Sequence, residues 1–88
     1  MNKRCKELIE FAKNNPKGVR FAELQQLCLC CGMWHDRTKG SHYIYKHANP
    51  TFTINIQAFK DGKAKSYQVQ DLIDLIELHN LDSEAENV

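Results

Sequence analysis

The sequence predicts a single α+β domain: a two-layer sandwich of order α-α-β-β-β-α, with a three-stranded antiparallel sheet covered by helices on one face. Three observations carry this. Apolar residues recur at helical spacing near both ends, the spacing changes to alternation in the middle, and glycines and prolines fall at the joints between runs. With 88 residues there is room for one core and no second domain. Residues 1–81 are expected to form that domain, and residues 82–88, acidic with little to bury, a flexible tail.

Residues 3–15 place Cys5, Leu8, Ile9 and Ala12 on one helical face, broadened by Phe11, and Asn14-Asn15-Pro16 ends the pattern. Residues 21–31 repeat the period with Phe21, Leu24, Leu27, Cys28 and Cys31, and Gly32 suits a left-handed cap. Two β-prone runs, Trp34 to Lys39 and Ser41 to Ala48, flank Gly40 as a tight hairpin would require. After the Asn49-Pro50 turn, Phe52, Ile54 and Ile56 alternate with Thr51, Thr53 and Asn55 as in a half-buried strand. A Lys/Gly-rich loop from Phe59 to Lys65 leads to the last helix, whose stripe is Val69, Leu72, Ile73 and Ile76, widened by Leu75, Leu78 and Leu81.

Charge is distributed in blocks. The chain carries 12 Lys+Arg against 11 Asp+Glu, which argues against wholesale disorder and against a globally basic DNA packer. Residues 1–20 and 33–67 are each +4, whereas 68–88 hold six acids and no base. A basic body of this kind attracts a polyanion locally without raising the overall charge. The acidic helix, with Asp71, Asp74 and Glu77, is a solvated face or a guide for docking on a basic partner. No apolar run approaches bilayer length and the N-terminus has no apolar leader core, so the protein is expected in the cytoplasm, away from membranes. There Cys5, Cys28, Cys30 and Cys31 are expected to be thiols. The spacing CxCC inside a helix does not converge on a zinc ion, so small buried thiols are expected and neither metal nor cofactor is.

The most informative stretch is Lys39-Gly40-Ser41-His42-Tyr43-Ile44-Tyr45-Lys46-His47. It sets a histidine just after a tight turn, among Arg37, Lys39 and Lys46. Clustered cations favour phosphate, and they favour the neutral, proton-accepting form of an imidazole. The sequence here resembles the HicA family of small bacterial toxins, in Gly40-Ser41-His42, Ile44-Tyr45 and Lys46-His47. The likeness extends to Asn15-Pro16-Lys17, Val19-Arg20-Phe21 and Glu23-Leu24, to Asn55-Ile56-Gln57, Gly62-Lys63-Ala64-Lys65 and Tyr67-Gln68-Val69. These are similar to the subset of the family with an extra N-terminal helix, over roughly residues 8–81. The chain departs in a more polar first strand, Met33-Trp34-His35-Asp36-Arg37, and in cysteines where relatives carry Leu or Ala.

The resemblance implies a fold similar to the double-stranded-RNA-binding domain (dsRBD-like) and a metal-independent ribonuclease acting on mRNA. It also implies restraint by a HicB-type antitoxin, with assembly into homo- or hetero-oligomers left open. By position, His42 matches the catalytic histidine, and Gly40 and Ser41 the turn that presents it. Arg37, Lys39, Lys46, Lys63 and Lys65, together with Gly40 and the Ser41 hydroxyl of the turn, are candidates for binding RNA and holding its phosphate. The general acid is open among His47, Lys39 and Tyr43, although strand parity puts Tyr43 and His47 opposite His42. His35, His47 and His79 are expected to be structural or surface residues. Tyr43, Tyr45, Trp34 and Phe52 are a possible base-stacking platform, with two or three of them expected in the core. The competing class is a non-catalytic RNA- or DNA-binding module of the same fold.

Overall fold

A computed structural model of the chain describes residues 2–84. Helix α1 (Lys3–Asn14) begins at Asn2, whose side chain accepts from the Cys5 N–H and so satisfies one of the orphan donors of the first turn. A 3₁₀ turn, Pro16–Gly18, leads to α2 (Phe21–Cys30), where Glu23 accepts from the Arg20 N–H at 2.8 Å. Gly32 follows with φ +81°, the left-handed conformation expected of a glycine after a helix.

Three strands follow, β1 (Trp34–Lys39), β2 (His42–His47) and β3 (Phe52–Gln57), antiparallel in the order β1-β2-β3. The hairpin between β1 and β2 closes at Gly40, φ +60°, and the Asn49-Pro50 peptide in the next turn is cis. A second 3₁₀ turn, Lys60–Gly62, precedes α3 (Ser66–His79), which stops at Asn80 in the left-handed region. The architecture is the expected α+β sandwich, with helices on one sheet face. A short α4, Leu81–Glu84, occupies the start of the expected tail, and the rest of that tail, residues 85–88, lies outside the described residues.

The core joins α1, α2 and α3 to the inner sheet face. Val19, Leu24, Leu27, Ile56, Val69, Leu72, Ile76 and Leu81 are buried to 1% exposure or less, each contributing on the order of 1.5–3 kcal/mol. Tyr45 shares this core and accepts from Gln25 Nε2 through its hydroxyl. Two apolar positions expected in the core are outside it. Leu78 is 72% exposed and Phe11 41%, because each lies at the edge of its helical stripe, where burial is incomplete.

The cysteines need a correction. Cys28 and Cys31 are buried thiols as expected, but Cys5 and Cys30 are joined in a disulfide. Cys30 points away from the face shared by Cys28 and Cys31, and the packing of α1 against α2 brings its Cα to 5.7 Å from that of Cys5. In the chain-entropy account, closing a loop with a sequence separation of 25 stabilises the fold by roughly 3–4 kcal/mol. Reduction is therefore expected to lower the urea-unfolding free energy by about 3 kcal/mol, and a Cys5→Ser variant should not respond to reductant.

Burial pushes the Cys31 thiol up to about 12, with Asp82 adding to the effect, and burial pushes Cys28 in the same direction. A raised folded-state value leaves stability intact below the unfolded value near 9 and removes it as pH climbs from there towards 12. Urea unfolding between pH 8 and pH 10.5 should show that fall, and Cys31→Ala should flatten it; parallel curves would contradict this account.

Candidate functional site

Strand β2 divides its side chains between the two layers. Tyr45 and His47 are buried beneath the helices and Tyr43 is half-buried there, while His42, Ile44 and Lys46 take the open face. Register sets their neighbours: His42 lies opposite Lys39 on β1 and Gln57 on β3, and Ile44 opposite Arg37 and Asn55. The outer face is thus polar and basic, with one aromatic, Trp34, at its β1 edge opposite Lys46.

His42 is exposed, and its Nδ1 lies 3.0 Å from Asn55 Oδ1. An amide oxygen only accepts, so Nδ1 is the donor in this contact, and in the neutral ring the lone pair then falls on Nε2. Nε2 has no protein partner among the described residues. The ring is thus held in the tautomer that accepts a proton at its outward nitrogen.

Beside it, Gln57 links the hairpin turn to the start of α3. Its Nε2 donates to Ser41 Oγ at 2.7 Å, its Oε1 accepts from Lys65 Nζ at 2.6 Å, and its N–H donates to Gln68 Oε1 at 3.0 Å. The sequence separates Ser41 from Lys65 by two strands and a loop; Gln57 brings them together. Gly40 has open space where a Cβ would stand, so its positive φ alone favours glycine.

The remaining cations divide into two groups. Lys39 is opposite His42 and has no ion-pair partner among the described residues. Arg37 and Lys46 both pair with Asp36, which a β-bulge between His35 and Arg37 turns toward the open face. Lys46 is also four residues along the strand from His42, about 13 Å at ordinary rise. Lys63 is in an isolated bridge with Arg20 and is set apart from the open sheet face, in the loop that also carries Lys65. The candidates for holding phosphate therefore do not form one cluster: Lys39, Ser41 and Lys65 surround His42 and Gln57, whereas Arg37 and Lys46 form a separate ion-paired group.

Two of the three candidate acids are on the other face. His47 Nδ1 donates to the Pro50 carbonyl at 2.8 Å, and its ring stacks on Phe52, which stacks in turn on His79. Tyr43 packs edge-on against Phe21, with ring centroids 5.1 Å apart. His35 bonds Thr38 and packs near Tyr43 and Tyr45. Tyr43, Tyr45 and Phe52 are committed to the inner layer, leaving Trp34 as the one ring of the expected platform on the open face. Among the described residues no three His, Cys, Asp or Glu side chains converge as a metal site would need, and no helix is long and apolar enough to cross a membrane.

Sequence reasoning assigned no role to Asn55 or Gln57. The signal was present, since both alternate with buried isoleucines on β3 and therefore share the face of His42, but only the pairing register identifies which of them it meets. Comparison with family models, curated proteins and solved structures finds no match.

The Asn55 contact is directly measurable. Nitrogen NMR of the imidazole above its titration range should show the His42 ring protonated at Nδ1. Asn55→Ala should return it to the mixture dominated by the Nε2–H form that is normal in water; an unchanged ring would mean Asn55 does not set the tautomer.

Proposed function

We propose that this chain is a metal-independent endoribonuclease of the HicA type, cutting mRNA with His42 and acting as the toxin of a toxin-antitoxin pair. The observation that supports it most is the state of His42: exposed at the mouth of a hairpin, Nδ1 engaged by Asn55 and Nε2 open. RNA brings its own nucleophile, so the protein needs only to move protons and hold charge. Nε2 takes the proton of the 2′-hydroxyl, whose oxygen attacks the adjacent phosphorus as the bond to the 5′-oxygen breaks. The departing oxygen takes a proton, and a 2′,3′-cyclic phosphate remains.

Lys39 is the candidate best situated to supply that proton or to hold the charge developing on phosphate, since it lies opposite His42. Ser41, held by Gln57, and Lys65 suit the flanking phosphates. A HicB-type antitoxin would restrain the enzyme by covering this open face, and the exposed acids Asp71 and Asp74 of α3 would help dock it.

One observation favours the non-catalytic alternative. His47 and Tyr43 lie on the opposite face, so a single histidine must carry the proton transfers with only lysine nearby. A positioned acid/base contributes about 10²- to 10⁴-fold, and His42→Ala should reduce RNA cutting in the presence of a chelator by that factor. Asn55→Ala should reduce it by about tenfold. Equal cutting by wild type and His42→Ala would remove the catalytic role, and binding with no cutting at high protein concentration would establish the module instead.

A further inference from the structure

A groove of about 480 Å³ opens beside the network that anchors Gln57, lined by Lys17, Phe59, Lys63, Lys65, Ser66 and Tyr67. Its composition is unusual for a surface hollow on a nearly neutral protein. Three lysines converge, Lys17 from the turn after α1 and Lys63 and Lys65 from the loop before α3, and no acidic side chain lines it. Lys17 and Lys63 have no ion-pair partner among the described residues, so their charge is open to a ligand. Two rings, Phe59 and Tyr67, are 53% and 61% exposed, although neither is needed to close the core. The Tyr67 hydroxyl accepts from Gln68 Nε2 at 3.4 Å, and Lys60 Nζ stands 6.0 Å from the Phe59 centroid, so each ring has some local support but is not packed away.

The groove is not isolated from His42. Lys65 lines it and at the same time donates to Gln57, and Gln57 is the cross-strand partner of His42. Cross-strand partners stand about 5 Å apart, so a strand whose phosphate lies at His42 reaches Lys65 over a short span of backbone.

We infer that this groove is a subsite for an unpaired nucleotide of single-stranded RNA, with Phe59 and Tyr67 receiving the base and Lys17, Lys63 and Lys65 its flanking phosphates. The inference deepens the ribonuclease assignment by naming the form of RNA that would be cut, one with an unpaired base beside the cleaved bond. A paired base offers no free face to an aromatic ring, because its neighbours in the duplex already cover it, whereas an unpaired base stacks on such rings whatever its sequence. Exposed aromatic rings beside three lysines, two of them without an ion-pair partner among the described residues, match that ligand in both shape and charge.

The test uses the full chain carrying His42→Ala, so that binding is read without cleavage. A fluorescently labelled single-stranded RNA hexamer and a labelled RNA duplex are titrated at low salt, and Phe59→Ala, Tyr67→Ala and Lys17→Gln are added singly. Thermal unfolding confirms that each variant is folded, as substitutions at these exposed positions should leave it. Each ring substitution is expected to weaken hexamer binding by about tenfold, within the range that loss of one base stack produces, and to change duplex binding by less than twofold. Lys17→Gln should weaken hexamer binding and reduce its salt dependence. Unchanged hexamer binding in both ring variants overturns the subsite, as does equal weakening for hexamer and duplex. The same holds if the unsubstituted groove binds an acidic peptide and not the hexamer. Cleavage that depends on His42 in a protein whose ring variants bind normally sinks the subsite alone; ring-dependent hexamer binding by a protein that never cuts sinks the ribonuclease assignment alone.

Discussion

The site depends on the alternation of side chains along β2. Its register with β1 and β3 sends Tyr43, Tyr45 and His47 to the helices and His42, Ile44 and Lys46 outward. Because the period is two, a slip of one residue would drive His42 into the core and expose two tyrosines. The large apolar burden on the inner face penalises such a slip heavily, so the hydrophobic core, with no direct contact to His42, is what holds that histidine outside. The glycine turn before it and the alternating isoleucines of β3 support the same register from either side.

Around that constraint the polar residues of β3 acquire their roles. Asn55 and Gln57 have no packing reason to be amides; each faces away from the buried Ile54 and Ile56. Asn55 sets which nitrogen of His42 carries the proton, and Gln57 ties the hairpin turn to α3 through three hydrogen bonds. A site assembled in this way rests on strands and a helix start, with its hairpin turn pinned by Gln57, which favours fixed geometry over adaptability. Charge is arranged with the same economy. Asp36 offsets Arg37 and Lys46 at one end of the open face, leaving Lys39 unopposed at the end where His42 stands.

The cysteines show two environments in one helical turn. Cys28 and Cys31 share the buried face of α2 and act as small core residues, while Cys30, rotated off that face, meets Cys5 of α1. The periodicity of the helix separates these environments in advance. It does not say which residue of another helix will stand opposite Cys30, since that depends on how α1 crosses α2. Redox expectations drawn from the expected compartment gave the wrong state for this pair for the same reason: they concern the surroundings and carry no information about proximity.

Local chemistry and periodicity were enough, from the sequence by itself, to determine the order of elements, the two faces of each strand, the turn at Gly40 and the separation of His42 from Tyr43 and His47. All of these follow from interactions between residues close in the chain or from a repeating pattern of burial. Only the tertiary structure decided that Asn55 meets His42, that Gln57 joins Ser41 to Lys65, that Asp36 draws Arg37 and Lys46 together, and that Lys17 shares a groove with Phe59 and Tyr67. The physical reason is common to all four. Each depends on strand register or on the path of a loop, and both are set by how the whole core packs; no short stretch of sequence contains that information.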